Sequence, residues 1–432
     1  MPQGPPHWLL TPSPGRFRVD DAPFELLRRV ANRSDGEACV LLDGEWGVVA
    51  ARPSASLCVT SDGAVWHRDG PGTAWRTSLD VPWDALRTFV RDSDGRHVIG
   101  LLSYDAGRLI ERIPDRTQDD TCVPLLLFHR FDSLVDKCVT PPLPLRGEEA
   151  FSPITHRTSP KEFEQMVLCA KEHVRVGDVF QVNLSHRLET ATMLHPVELY
   201  GRLRVANPAP YAAYFSSGPL PGDAGGFAVL SSSPERLFRL CGRTLEAKPI
   251  AGTRKRSDDA AEDSRLAVEL RGDAKEQAEH VMLVDLARND LGRVAAFGSV
   301  CVPRLLDVES YASVHHLVST VKADLADGKD VVDAIRALFP GGTITGAPKV
   351  RAMEIIEEIE SQRRGVYTGS LAWIGPDGDA DVNILIRTLL ARKGRVHVQI
   401  GAGIVQDSVP TREYEETLAK AKGMLRALGG DL

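Results

Sequence analysis

Short apolar runs broken by Gly, Asp and Ser fill the first third of the chain. CVLLDGEWGVVAA and SLCVTSDGAVWH each read as strand, turn and strand, so residues 1 to about 145 are expected to be rich in β structure. LVDKCVTPPLPLRGEEAFSPI follows, with prolines crowded into a stretch that suits a surface linker. From Ser159 the period changes to that of a helix. SPKEFEQMVLCAKEHVRVGD offers a Ser cap, a Pro in the first turn and apolar Phe163, Met166, Val167 and Ala170 on one face, and it ends near Gly177. FQVNLSHRLE then alternates apolar and polar positions as a strand does, and GFAVLSSSPERLFRLCGRTLEAKPIAG reads as strand, tight turn, strand and strand. Helices over 275–293, 330–338, 348–361 and 411–427 alternate with strands over 366–374, 382–391 and 395–401.

Many strands of mixed length with several amphipathic helices point to an α+β fold built on antiparallel sheets. The expected division is an N-terminal β-rich part over 1–145 and a motif-dense part over 159–427, the two forming one integrated fold. No internal repeat or low-complexity tract interrupts the sequence.

Composition narrows the function classes. Of 432 residues, 43% are hydrophobic and 26% charged, which supplies a sizeable core. A net charge of -7 argues against a nucleic-acid binder that relies on a general basic surface. MPQGPPHWLL lacks the basic and apolar regions of a secretory signal, and no apolar run is long enough to span a bilayer. The seven cysteines, at 39, 58, 122, 138, 169, 241 and 301, are scattered without a CxxC pair. They suit reduced thiols in a cytoplasm.

The candidate chemistry is acidic. KEQAEHVMLVDLARNDLGRV, from Lys275, sets Glu276 and Glu279 on one face of a helix whose buried stripe is expected at Ala278, Val281, Met282 and Leu286, with Asp290 also off the stripe. TREYEETLAKAKGM repeats the device with Glu413 and Glu416, in a helix that Thr411 would cap. Alone, either pair reads as a solvated face; converging, the two would hold a divalent ion against a carboxylate-bearing substrate. Before the second helix, Gly401 and Gly403 bracket Ala402 in a loop that lets backbone N–H groups approach an anion. The glycine-rich turn before Pro348 opens a helix but is no nucleotide loop, because its lysine does not directly follow the last glycine. Arg387 is a charge inside an apolar strand and needs an anionic partner, one that Tyr367 would share. Glu235, after a Pro turn, is a candidate proton donor, although a glutamate in a turn is more commonly exposed. His280 reads as structural.

Taken together these segments resemble the chorismate-utilising enzymes, the family of anthranilate synthase component I, aminodeoxychorismate synthase component I, isochorismate synthase and salicylate synthase. The likeness runs from about Ser159 to Gly423 through GDVFQVNLSHR, SSPERL, PIAGTRKR, KEQAEHVMLVDLARNDLGRV, PGGTITGAPKVRAMEII and GAGIVQDSVPTREYEETLAKA. It implies a complex α/β sandwich, two large sheets face to face with helices outside, binding chorismate and Mg2+ between them. It makes Glu279 and Glu416 the metal ligands, supported by Glu276 and Glu413. Arg387 and Tyr367 would hold the enolpyruvyl carboxylate, and Gly401, Gly403 and Lys420 the ring carboxylate region. Thr253, His316 and Thr343 would line the ring, and Glu235 would protonate the departing 4-hydroxyl.

Two neutral residues bear on the product. Hydrating members of the family carry a water-activating lysine where this chain has Gln181, so ammonia is the expected nucleophile. With no amidotransferase motif in the chain, a separate glutaminase subunit is implied as its source. PGGTITGAPK, NPAPYAAYF, SYDAGR and DVNILIRT are similar to aminodeoxychorismate synthases, as is the absence of an LLES element. Ala251, however, replaces the lysine that many of those enzymes present as a covalent nucleophile at ring C2. The expected product is therefore 4-amino-4-deoxychorismate, with anthranilate the alternative. A non-catalytic chorismate- or tryptophan-binding protein is disfavoured, because all four metal-site glutamates and the acid are present.

Overall fold

A computed structural model describes residues 21–31, 36–44, 46–134, 151–311 and 314–430. The expected linker at 134–154 falls largely outside these residues, as does the N-terminal segment.

The first part of the chain contains α1 (Asp21–Ala31), β1 (Cys39–Leu42), β2 (Val48–Ala51), β3 (Ala55–Val59), β4 (Val65–Arg68), β5 (Arg76–Ser78), α2 (Pro82–Arg91), β6 (His97–Leu102) and β7 (Leu126–Phe131). After it come β8 (Thr155–His156), α3 (Pro160–Arg175), β9 (Gln181–Ala191), α4 (Pro196–Ala206), β10 (Tyr211–Ser216), β11 (Ala228–Ser233), β12 (Arg236–Cys241), β13 (Thr244–Ala247), β14 (Ile250–Lys255), α5 (Ala260–Gly272) and α6 (Ala274–Gly292). The remainder is β15 (Cys301–Ser310), β16 (Val314–Asp324), α7 (Val331–Leu338), β17 (Gly346–Ala347), α8 (Lys349–Ile359), β18 (Ser370–Ile374), β19 (Ala380–Asn383), β20 (Thr388–Arg392), β21 (Arg395–Ile404) and α9 (Pro410–Ala427).

These strands form two antiparallel sheets. The nine-stranded sheet runs β17-β9-β21-β20-β11-β10-β1-β2, with β8 beside β9. The twelve-stranded sheet runs β14-β16-β13-β12-β19-β18-β6-β7-β3-β4-β5, with β15 beside β16. Strands of the N-terminal part therefore enter both sheets, and the two parts of the chain share their cores rather than standing apart. One apolar cluster joins the sheets: Val40, Leu42, Phe215, Val229 and Leu390 from the first meet Cys58, Ile99, Leu127, Leu371 and Trp373 from the second. Helices cover the outer faces. α2, α6 and α7 pack on the larger sheet through Leu86, Val284, Leu291 and Ile335, while α4 and α9 pack on the smaller through Tyr200, Leu203, Met424 and Leu425. The face-to-face α+β sandwich expected from the sequence is the observed architecture.

Local signals place the helices. Ser159 and Glu162 form a reciprocal capping box at α3, and Asp273 caps α6 through the amides of Lys275 and Glu276. α9 starts one residue earlier than expected, with Pro410 in its first turn; Thr411 lies inside the helix and caps nothing.

Three expectations need correction. The polar positions of β9 do not face solvent, since Val182 to Thr190 are all buried. Val182, Leu184 and Leu188 enter apolar clusters, whereas Ser185 and Arg187 enter an internal polar network. There the Ser185 amide and hydroxyl donate to Glu360, which is paired at 2.7 Å with buried Arg364, and Arg187 donates to Asp120 and Gln399. The strand expected over 382–391 is two strands in different sheets, β19 and β20, with the chain crossing between them at 384–387. The strand expected over 366–374 begins only at Ser370, because Val366 to Gly369 form a turn.

Candidate active site

Two crossings between the sheets build the centre of the site. β11 lies in the smaller sheet and β12 in the larger, so Pro234 and Glu235 bridge the layers; β19 and β20 make the reverse crossing through Ile384 to Arg387. The crossings are tied together. Ile384 N donates to the Glu235 carbonyl at 3.0 Å, Ser232 N to the Arg387 carbonyl at 3.1 Å, and the Ser233 hydroxyl to the Ile384 carbonyl. Arg387 therefore sits not in a strand but in the left-handed conformation at a sheet-to-sheet corner, φ +52°. A non-glycine residue held there is costly and needs its surroundings to fix it.

Glu235 is not the exposed turn residue its position suggested, being 8% accessible. Its Oε1 accepts the Thr343 hydroxyl at 2.7 Å, from the glycine-rich turn before α8. Burial lifts its carboxyl to about 7, against the opposing pull of the Thr343 hydrogen bond and the Arg387 charge. Burial likewise lowers the Arg387 guanidinium, with Glu235 opposing the shift, so Glu235 is the carboxyl group this arginine faces.

These residues open on a cavity of about 260 Å3 between the layers. Of the residues singled out in the sequence, it is lined by Gln181, Glu235, Ala251, Glu279, Thr343, Tyr367, Arg387, Gly401, Gly403 and Lys420. Gly401 and Gly403 lie in β21, paired opposite Ser185 and Asn183 of β9, and not in a loop. Their role is close approach: a Cβ on Gly401 would stand 2.6 Å from the Tyr367 hydroxyl, and one on Gly403 2.4 Å from Gln181 Nε2. Lys420 Nζ donates to the Gly401 carbonyl at 3.2 Å and pairs with Glu416 at 2.8 Å. Thr253 and His316 pair with each other at 3.0 Å, outside the residues that line the cavity. Burial pushes His316 down to about 4, so it is neutral near pH 7.

The acidic helices do converge. Glu279 is raised by burial and, against the pull of Lys275, by the charges of Glu276, Glu413 and Glu416; Glu413 is raised by burial and Glu416 while a Ser408 hydrogen bond opposes. Of the four glutamates Glu279 lines the cavity and Glu276, Glu413 and Glu416 do not; α6 buries a different stripe from the one expected, His280, Leu283, Val284 and Leu291, with Ala278 and Val281 exposed. A helix covered on two sides does not show the simple apolar stripe of a surface helix. His280 is structural, its Nε2 2.7 Å from the Ser319 hydroxyl.

Among the described residues no three His, Cys, Asp or Glu side chains are gathered to hold a metal ion. Glu276 takes Arg254 at 3.2 Å and Glu416 takes Lys420. The donor set nevertheless fits Mg2+, which uses one or two carboxylates with waters and substrate oxygens rather than a complete protein cage. Burial chiefly raises Glu279 and Glu413, the neighbouring glutamates adding to it, and a bound divalent cation would offset both effects.

One residue was missed in the sequence and the burial of another was misjudged. Asn183 lines the cavity with its buried Oδ1 lacking a hydrogen-bond partner, next to Gly401. Asp290, expected off the buried stripe, is 6% accessible and holds buried Lys349 at 2.7 Å.

A family model described as chorismate binding enzyme matches residues 40–426. Anthranilate synthase component 1 of Thermus thermophilus is 45% identical over 362 residues, covering 77% of each chain. Aminodeoxychorismate synthase component 1 of Bacillus subtilis is 43% identical over 365 residues, covering 76% of each. The solved structure of anthranilate synthase component I from Streptococcus pneumoniae matches with a TM-score of 0.75 at 30% identity, over 90% of this chain and 92% of that one. No helix among the described residues is long and apolar enough to cross a membrane.

Proposed function

The chain belongs to the chorismate-binding enzymes, and on that premise we propose that it aminates chorismate to 4-amino-4-deoxychorismate, with Mg2+ as cofactor and ammonia drawn from glutamine by a partner amidotransferase subunit. The observation that carries this reading is the pairing in one cavity of an acid protonated near neutral pH with a neutral amide: Glu235 and Gln181. Hydroxide leaves poorly, and a proton from Glu235 lets the 4-hydroxyl depart as water. Gln181 cannot act as a base that activates water, which leaves neutral ammonia as the nucleophile.

Arg387, at the crossing tied to the one that carries the acid, and Tyr367, which lines the same cavity, would hold a substrate carboxylate so that the leaving group is presented to Glu235. Lys420 and the close-packed glycines of β21 face the other carboxylate. Glu279 and Glu416, supported by Glu276 and Glu413, would hold Mg2+; when bound, the ion supplies positive charge to a substrate carboxylate that these glutamates would otherwise repel.

Anthranilate formation is the second reading, favoured by Ala251, which lines the cavity without an amine to attack ring C2. The similar identities to relatives of both names leave either product within reach. Incubation of the purified chain with chorismate, Mg2+ and ammonium salt, with and without an aminodeoxychorismate lyase, separates them. Lyase-dependent 4-aminobenzoate is expected; fluorescent anthranilate without the lyase would sink the first reading.

A further inference from the structure

Behind the acid lies a second, smaller cavity of about 40 Å3. Glu235, Thr343 and Leu283 form the partition, lining both this chamber and the substrate cavity. Asp290 lies in its wall, its Oδ2 2.7 Å from Lys349 Nζ, which also donates to the Leu338 carbonyl at 3.1 Å. Other charges nearby are matched: Arg236 with Asp381 at 2.8 Å, Lys248 with Glu309 at 3.5 Å, and Arg293 with Glu111 at 3.8 Å. At roughly 10–15 Å3 per water, the chamber holds about two to four molecules, with carboxyl and hydroxyl groups to bind them.

We propose that this chamber is a proton-return path, its waters linking the Asp290–Lys349 pair to Glu235 and restoring the proton that Glu235 gives up in each turnover. The inference rests on the reading of Glu235 as the acid. In that reaction the C–O bond breaks as Glu235 protonates the hydroxyl, and water leaves. The C–N bond forms from the ammonia lone pair, and the resulting ammonium substituent releases a proton to solvent. Glu235, now a carboxylate, accepts a proton through the chamber from the Asp290–Lys349 pair, which regains one from solvent, so charge and protons balance. The front of Glu235 faces substrate or product at that moment, and the rear is the side that stays wet. Burial raises the Asp290 carboxyl and lowers the Lys349 ammonium, each opposed by its partner, which brings the pair's proton affinities closer together than those of an exposed pair.

The test compares first turnover with steady state in the full chain supplied with ammonium salt. Assayed at about pH 6, where the raised Glu235 carboxyl begins mostly protonated, Asp290→Asn should complete its first turnover within about twofold of the wild type while steady-state turnover falls about tenfold, and added formic acid–formate buffer should restore the later turnovers. Ala287→Leu, which fills the chamber from α6 without touching the substrate cavity, should give the same burst. Steady-state rates within about twofold of wild type in both variants would overturn the relay, as would first and later turnovers falling together without rescue. Glu235→Gln distinguishes the levels: retained turnover overturns the acid assignment and the relay with it, whereas its loss without a burst in the other two variants overturns the relay alone.

Discussion

The two halves of the site are built on opposite principles. At the sheet crossings, Glu235 and Arg387 are fixed by backbone hydrogen bonds between two strand ends, Thr343 donates to Glu235 from the turn before α8, and the acid is 8% accessible. At the helix pair, Glu279 and Glu413 are half-buried, Glu416 is exposed, and the surrounding charges are lysines on flexible stems. The crossings are preorganised and mostly dry, so proton transfer meets little reorganisation there. The helix pair has its glutamates partly answered by protein cations, Glu276 by Arg254, Glu416 by Lys420 and Glu279 by Lys275, and the proposed Mg2+ would compete with these. Variants at the crossings should therefore change chemistry at unchanged Mg2+ requirement, and variants at the helices should do the reverse.

The largest effect is expected from Glu235→Gln, which keeps the shape and removes the proton. Turnover should fall by about 10²–10⁴-fold with little change in KM for Mg2+, measured as steady-state product formation. Stability should move the other way at high pH. A carboxyl whose folded value is raised to about 7 stabilises the fold fully below its unfolded value, and that contribution is lost as pH rises through about 7. Glu235→Gln should thus be more stable than the wild type at pH 8, by up to roughly 3 kcal/mol, and the difference should vanish at pH 4. Denaturant unfolding at the two pH values checks it, and a pH-independent difference would refute the burial argument.

Next in size, Glu279→Gln or Glu416→Gln should lower turnover by about 10²-fold and raise the Mg2+ concentration needed for half-activity, while leaving unfolding unchanged or slightly more difficult, because repulsion is removed. Full activity in either variant would undo the metal assignment. The wild-type pH–rate profile comes third. As Glu235 loses its proton, kcat should decline above about pH 7, approaching tenfold per pH unit, and this limb should be absent from whatever activity Glu235→Gln retains.

The same contrast explains what was legible in the sequence. Helix boundaries and the α+β class followed from period and capping, since those patterns are local, whereas the face-to-face sandwich and the convergence of the two acidic helices came only from the family resemblance. The crossings were not legible. DVNILIRT reads as one strand, and nothing local reports that Asn383 belongs to one sheet and Thr388 to the other. Glu235 looked exposed because its turn is short, whereas its burial comes from Thr343, over a hundred residues away. The polar face of β9 failed for a related reason: period 2 says which residues share a face, and only Glu360, Gln399 and Asp120, brought by tertiary structure, make that face interior.

The smallest expected effect divides the four glutamates. Glu276 points the same way as Glu279 but is engaged by Arg254, which also spans Asp273 and Glu269, so its charge is largely answered by the protein itself. Among the described residues Glu279 has only Lys275, at 3.9 Å. If Mg2+ answers the charge the protein leaves unanswered, Glu276→Gln should change turnover by no more than about threefold and raise the Mg2+ requirement slightly, against the much larger loss for Glu279→Gln. Arg254→Gln provides the converse: freeing Glu276 should tighten Mg2+ binding, read as a lower half-saturating concentration in an ion titration. Should Glu276→Gln prove as damaging as Glu279→Gln, the helix pair would be a four-carboxylate site that rearranges on binding, and its contrast with the rigid crossings would be greater than the arrangement of charges alone implies.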